Sequence, residues 1–153
     1  MTELRRRFRS VTLRTQVNAD GMFLHEVSSP NPYRNSLFNL DMMAMLCELL
    51  STRFESVWEY QLEDGPSMRA AVAYHFAFIA DRAKWPYKAD TRYFTQLPGR
   101  RISLLFAARA YQRPEYATLW KSLEPDLAAE DILRTIPAHQ PILWVHPPPP
   151  RQT

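Results

Sequence analysis

Apolar residues recur at helical spacing near the start of the chain. Leu4, Phe8 and Val11 follow one another at intervals of three or four residues, and Thr15 continues the series. Such spacing puts side chains on one face of a helix, so it predicts a first amphipathic helix. Most of the neighbouring arginines fall on the opposite face of that helix.

A second apolar pattern covers the stretch from Leu37 to Leu50. Its main stripe consists of Phe38, Met42, Met45, Leu46 and Leu49. The additional apolar residues Leu40, Met43 and Leu50 widen the stripe until little polar surface remains. This pattern predicts a central, largely buried helix.

Further helices are predicted downstream of this central one. Their expected spans are 68–79, 102–109, 114–123 and 126–136. A Gly-Pro start signal opens the first of them, and Trp85-Pro86 ends it, because proline disfavours helix in the residue before it. Asp126 is expected to cap the last one.

The connections are rich in turn-forming residues. Residues 18–35 contain glycine, two prolines and several Asn and Ser, which predicts an extended loop rather than a helix. Asn35 or Ser36 ends this loop, where a short polar side chain is expected to accept hydrogen bonds from the first helix amides. Residues 146–153, HPPPPRQT, are expected to form an exposed polyproline tail.

The composition favours an all-α domain. The chain has 153 residues, of which 46% are hydrophobic, so it can bury one core and has no signature of disorder. It has three glycines and thirteen prolines, which favours helices separated by proline-containing turns over a glycine-rich sandwich of strands. We expect one domain over residues 1–145, built from successive antiparallel helices.

The net charge is only +3, but the basic residues are unevenly distributed. The first helix carries Arg5, Arg6, Arg7, Arg9 and Arg14. This cluster is typical of a solvated helix face or of a surface that contacts a polyanion. Nucleic acid is a third interpretation, and the small net charge and the scarcity of interleaved aromatic residues argue against it.

The sequence shows no export or membrane signal. Its first residues lack the continuous apolar stretch of a secretory leader. No segment reaches the roughly 20 apolar residues of a membrane span. The sequence leaves the localisation open, and no membrane partner is expected.

Generic catalytic motifs are absent from the sequence. It has no glycine-rich phosphate loop, no nucleophile elbow and no metal-ligand spacing, so no metal or cofactor is expected. Cys47 and His75 both lie beside apolar stripes and are expected to be packed core residues. Core packing is also expected for Trp58 and Tyr60, with sugar contact as the alternative.

A resemblance to a known family supplies the missing chemistry. The segment EVSSPNPYRNSLFNLD, residues 26–41, resembles the signature of the alginate lyase-like polysaccharide lyases. Later segments that begin VWEYQLEDG, LPGRRISLL and IPAHQPILW resemble the C-terminal part of bacterial members in the same order, so the likeness runs from Val17 to Val145. The resemblance implies a partial (α/α) toroid of antiparallel helix pairs, with this chain as the C-terminal half. Family members are typically periplasmic.

Family members of this type cleave acidic polysaccharides by β-elimination. The reaction needs a group that neutralises the uronate carboxylate, a base for the C5 proton and an acid for the leaving oxygen. In the family an upstream Asn-His pair, an arginine and a tyrosine fill these roles. On this resemblance the chain would begin after the Asn-His pair, and the arginine and tyrosine positions hold Ser29 and Asn35.

The resemblance therefore implies a family domain that is inactive alone. Nearby residues that offer substitute chemistry are Tyr33 and His25 for proton transfer and Arg34 for charge. Asn35 is expected to orient the uronate, and Glu26 to brace the loop by hydrogen bonds. The alternative is a non-catalytic helical module that binds an acidic glycan or a partner protein. An apolar face left uncovered by absent helices would favour self-association.

Overall fold

The computed structural model describes residues 2–125, 129–134 and 137. The α-helices are α1 (Thr2–Arg7), α2 (Arg14–Gln16), α3 (Leu24–Val27), α4 (Pro32–Leu50), α5 (Met68–Ala80), α6 (Ile102–Ala110), α7 (Pro114–Ser122) and α8 (Glu130–Leu133). A π-helical turn covers Phe8–Leu13, and 3-10 turns cover Val57–Glu59, Arg82–Lys84 and Phe94–Gln96.

The described part of the chain contains no β-strand, and its one extended pairing is an isolated bridge between Gln61 and Ser67. The predicted all-α class is confirmed. None of the described helices is long and apolar enough to cross a bilayer.

The first helical segment runs without interruption from Thr2 to Gln16 through the π-helical turn. The prediction of a helix is confirmed here, but the predicted apolar stripe is buried only at Phe8. Leu4 and Val11 are exposed, whereas Phe8 and Leu13 are buried. A π-helix bonds residue i to residue i+5, so the buried position that follows Phe8 is displaced to Leu13.

The central helix is α4, which packs against α3, α5 and α6. Its buried side consists of Leu37, Leu40, Met43, Ala44, Cys47 and Leu50. The main stripe predicted from sequence is wrong in part, because Phe38, Met42 and Leu49 are exposed. Both stripes have helical periodicity, and periodicity does not say which of two apolar faces meets the core. We call Phe38, Met42 and Leu49 the exposed apolar face of α4.

The loop predicted over residues 18–35 is also wrong in part. It contains the short helix α3, and α4 begins inside it at Pro32, whose fixed φ suits a first helical position. Asn35 and Ser36 therefore lie within α4 and do not cap it. Asp90 does so from a distant loop, since its carboxylate accepts hydrogen bonds from the amides of Tyr33 and Arg34, each at 2.8 Å.

An ion pair joins α4 to the start of α6. Nη2 of Arg101 lies 2.5 Å from Oδ2 of Asp41, and the two side chains are 1% and 0% exposed. The other carboxylate oxygen of Asp41 accepts a hydrogen bond from the amide of Ser103 at 3.0 Å. Because both charges are buried, each depends on the other for stabilisation.

The predicted helices at 68–79, 102–109 and 114–123 correspond to α5, α6 and α7 and are confirmed. The predicted end of the first at Trp85-Pro86 is wrong, because α5 ends at Ala80 and a separate 3-10 turn follows at Arg82–Lys84. The predicted last helix is confirmed only as α8, Glu130–Leu133. Its proposed cap, Asp126, lies outside the described residues, as do Ile136 and the tail 146–153.

Three core predictions are confirmed. Cys47 is fully buried, and burial raises the pKa of its thiol well above the ordinary value. Trp58 is buried, and its Nε1 donates a hydrogen bond to Glu48 at 2.9 Å. His75 is 1% exposed and stacks on Phe23 at a centroid distance of 4.7 Å. Tyr60, by contrast, is only half-buried.

Candidate functional site

The two positions at which the family resemblance expects arginine and tyrosine face each other. Nδ2 of Asn35, in the second turn of α4, donates a hydrogen bond to Oγ of Ser29 at 3.0 Å. The hydroxyl of Ser29 donates in turn to the backbone carbonyl of Glu26 at 2.7 Å. Both side chains are half-buried. In this chain the two positions therefore hold an amide and a hydroxyl, and these side chains bind each other.

Further polar groups extend this pair along α4. Asn39 lies one turn after Asn35, and its Nδ2 donates to Oε1 of Gln16 at 2.9 Å and approaches Oε1 of Glu26 at 3.4 Å. We call Gln16, Glu26, Ser29, Asn35 and Asn39 the polar cluster. It joins the end of the first helical segment to α3 and α4.

Glu26 is the carboxylate of the polar cluster. Burial raises the pKa of Glu26 above its ordinary value, and the neighbouring His25 opposes that rise. A negative charge at this point repels other anions. Oε1 of Glu26 accepts a long hydrogen bond from Nδ2 of Asn39, at 3.4 Å, which links α3 to α4. The bracing of the loop by Glu26 stays a prediction.

The loop that carries α3 is held by two features of the residues before it. Gly21 has φ +94°, and a Cβ at this position would lie 2.2 Å from the carbonyl oxygen of Ala70 in α5. Phe23, which directly precedes α3, is fully buried against the ring of His75. The loop is therefore pressed closely against α5, which fixes the position of Ser29 and Glu26.

The structure separates Tyr33 from the polar cluster. Tyr33 is 0% exposed, and its hydroxyl donates to the carbonyl of Phe78 at 2.9 Å. Burial raises the pKa of Tyr33 far above its ordinary range. An acid or base must reach the proton that it transfers, so this conformation does not support Tyr33 as a catalytic group.

Arg34 and His25 have different surroundings. The backbone amide of Arg34 donates a hydrogen bond to Asp90, and the Arg34 side chain is half-buried. Burial raises the pKa of the Asp90 carboxyl, and the hydrogen bonds from the amides of Arg34 and Tyr33 and the charge of Arg34 oppose that rise. His25 lies on α3 next to Glu26 and is exposed. Of the two residues proposed for proton transfer, His25 is the one that solvent reaches.

The polar cluster consists mainly of neutral hydrogen-bonding groups. Its three amides and one hydroxyl can bind sugar hydroxyls, but the cluster contains no cation that could neutralise a carboxylate. In the described part of the chain, no group of three His, Cys, Asp or Glu side chains is placed to hold a metal ion.

Sequence reasoning missed Asn39, Gln16 and Asp90. Asn39 could have been found, because it follows Asn35 by four residues and side chains at that spacing share a helix face. Gln16 lies 23 residues from its partner Asn39 along the chain. Asp90 lies 57 residues from its partner Tyr33. No local pattern indicates such contacts.

Comparisons with known proteins identify the family. The family model described as alginate lyase matches residues 1–85, which is more than half of the chain and includes the whole polar cluster. No curated protein and no solved structure matches the chain. On the strength of the family match, the chain belongs to the alginate lyase family.

Proposed function

We propose that this domain binds acidic, uronate-containing polysaccharide and does not cleave it on its own. The observation that carries the proposal is the hydrogen bond between Ser29 and Asn35 at 3.0 Å. The family resemblance assigns these two positions to a carboxylate-neutralising arginine and a proton-transferring tyrosine. Here their side chains bind each other instead.

Each step of β-elimination lacks a suitable group in the polar cluster. Serine is uncharged at any relevant pH, so Ser29 cannot stabilise the negative charge that develops on the uronate. The amide of Asn35 has no titratable proton with which to act as base or acid. Glu26 adds a negative charge where the reaction needs a positive one.

His25 is the remaining candidate for proton transfer. It is exposed beside Glu26 on α3, so a polymer lying on the polar cluster would pass close to its ring. In this proposal Asn35 and Glu26 contact the sugar hydroxyls, and Arg34 supplies long-range positive charge. Without a neutralised carboxylate the C5 proton stays too weakly acidic for an imidazole to remove.

The second candidate function is a non-catalytic module that associates with another protein or with a second copy of itself. The exposed apolar face of α4 favours it, because Phe38, Met42 and Leu49 are 38%, 38% and 51% exposed on one side of a single helix. Dilution-dependent change in the molecular mass in solution would support it. A wild-type chain that stays monomeric at all concentrations would argue against self-association, and so would an association that Met42→Glu leaves unchanged.

We further propose that the described helices are part of an (α/α) toroid. The support is local: α4 packs against α5, and α6 packs against α7 across a short turn. An experimental structure bound to an oligosaccharide would test this arrangement.

A substitution at Ser29 tests the proposed binding site. Ser29→Arg restores a cation beside Asn35 and is expected to strengthen alginate binding about fivefold, because charge-assisted hydrogen bonds to carboxylates are stronger than neutral ones. Ser28→Arg is the matched control, since Ser28 is exposed and adjacent and gains the same charge. Calorimetric titration of both variants measures the difference. Equal gains in the two variants would mean that net charge, and not this position, governs binding.

A further inference from the structure

A second cluster of charged and aromatic side chains lies at the other end of the first helical segment. It surrounds a cavity of about 260 Å³ lined by Arg5, Arg6, Arg9, Glu55 and Tyr60, together with Thr2 and Ser10. We call this cavity the arginine pocket. It belongs neither to the polar cluster nor to the family signature.

Two of the arginines are already held in position. Nε of Arg5 forms an ion pair with Glu55 at 2.9 Å, and its Nη1 donates to the carbonyl of Leu50 at 3.2 Å. Arg6 binds Glu3 through both its Nε, at 2.8 Å, and its Nη2. Such fixed guanidinium groups lose little conformational entropy when a ligand binds.

Arg9 is differently placed. Within the described part of the chain it has no carboxylate partner, and its guanidinium carbon lies 5.8 Å from the centroid of the Tyr60 ring. The hydroxyl of Tyr60 donates to Glu55, which fixes the ring. Arg9 therefore keeps its charge available for an anion, beside an aromatic ring that can pack against a sugar.

The size and charge of the pocket restrict its ligand. At about 260 Å³ it falls below the ~300–1,000 Å³ of typical drug-sized sites, so it suits a single sugar unit. Three arginines and Glu55 line it, and Glu3 compensates the charge of Arg6 from outside, which leaves a formal charge of +1.

The arginine pocket and the polar cluster lie along the contact between the first helical segment and α4. Arg5 contacts Leu50 at the end of α4, and Gln16 contacts Asn39 near its start, so the first segment runs antiparallel to α4. Arg9 and Gln16 are separated by about 10 Å along the helix axis at ~1.5 Å per residue. A short stretch of polysaccharide can reach both.

We propose that the arginine pocket is a separate subsite that takes the carboxylate of one uronate unit through Arg9, with Tyr60 packing on the sugar ring. This inference rests on the proposed binding of acidic polysaccharide and adds the charge recognition that the polar cluster lacks. Units further along the same polymer would hydrogen-bond to the polar cluster.

Calorimetric titration with alginate oligosaccharides tests the subsite on the full chain. Arg9→Gln is expected to weaken binding about tenfold, since one charge-assisted contact is lost. Arg7→Gln is the matched control: Arg7 is exposed on the same segment, does not line the pocket, and loses the same charge. It is expected to weaken binding less than about twofold. Arg9→Lys keeps the charge but loses the planar group and should fall between them.

Equal losses in Arg9→Gln and Arg7→Gln would overturn the subsite, because they would reveal a diffuse charge effect. The subsite would also be overturned if duplex DNA bound more tightly than the oligosaccharide and Arg9→Gln and Arg7→Gln weakened DNA binding equally.

A second probe separates failure of the subsite from failure of the proposed function. Monomeric D-glucuronate, and not D-glucose, should shift the NMR signals of the Tyr60 ring in the wild-type chain. Polymer binding without this shift would remove the subsite and leave the proposed function standing. The shift without polymer binding would support the subsite and remove the proposed function.

Discussion

Single residues decide how closely the loop bearing Ser29 and Glu26 packs against α5. Gly21→Ala is expected to lower the free energy of unfolding by about 3 kcal/mol, because the new Cβ meets a backbone carbonyl and the φ of +94° strains any L side chain. Gly65→Ala is the control: its φ is also positive, at +110°, but the new Cβ would approach Ala19 no closer than 3.0 Å at its Cβ and 3.3 Å at its Cα.

Chemical denaturation of both variants measures the difference. Gly21→Ala should cost clearly more than Gly65→Ala, and it should also weaken polysaccharide binding by displacing Ser29. Equal costs would show that backbone strain alone matters and that the contact with Ala70 does not hold the loop.

His75 gives the molecule a specific dependence of stability on pH. Burial lowers the pKa of His75 from its ordinary 6.5 to about 4, against an opposing hydrogen bond to the carbonyl of Ala71. Between about pH 4 and pH 6.5 His75 therefore binds a proton in the unfolded chain but not in the folded chain. The free energy of unfolding therefore falls as the pH drops from about 6.5 to about 4, by about 3 kcal/mol in total.

Denaturation of wild type and His75→Gln across this pH range tests the assignment. The variant should lose the part of the slope that His75 contributes, while carboxylates keep theirs. His25→Gln, which changes an exposed histidine, should retain the wild-type slope. An unchanged slope in His75→Gln would exclude the buried ring as its source.

At the scale of elements, the buried pair of Asp41 and Arg101 connects α4 to α6. Arg101→Met is expected to destabilise the fold by about 3–5 kcal/mol, because it leaves the carboxylate of Asp41 buried without its cation. The double variant Asp41→Leu with Arg101→Met removes both charges and should recover much of this loss. Thermal unfolding of the three proteins measures it. A double variant as unstable as the single one would mean that the pair contributes specific stability beyond mutual neutralisation.

The elements also show what local sequence can predict. Helices α5, α6 and α7 are foreseen because each has one apolar stripe and because Gly65-Pro66 and Pro114 mark the starts of α5 and α7. The end of α5 at Ala80 is not foreseen, since the sequence places it at Trp85-Pro86. The buried side of α4 is not foreseen, since Phe38 and Leu40 belong to two stripes of similar quality. The start of α4 depends on Asp90, which lies more than fifty residues away along the chain.

For the whole molecule, the family was predictable from the segment that contains Ser29 and Asn35, and the family model supports it over residues 1–85. The contact between these two residues was not predictable, because it depends on how α3 folds back on α4. The burial of Tyr33 was equally hidden, since it requires the aromatic packing of Trp85 and Phe94 around its ring. Family likeness thus indicates which positions matter, whereas tertiary packing determines what those positions can do.

The most direct test of the central claim is one chromatographic run of the full chain mixed with alginate. Size exclusion reports whether polymer travels with the protein, and ultraviolet absorbance of unsaturated uronate reports elimination in the same sample. The account predicts that polymer co-elutes at low salt, keeps its length and shows no such absorbance, and that added salt releases it. Shortened polymer with rising absorbance, abolished by His25→Gln, would contradict the account and establish His25 as a working catalytic residue.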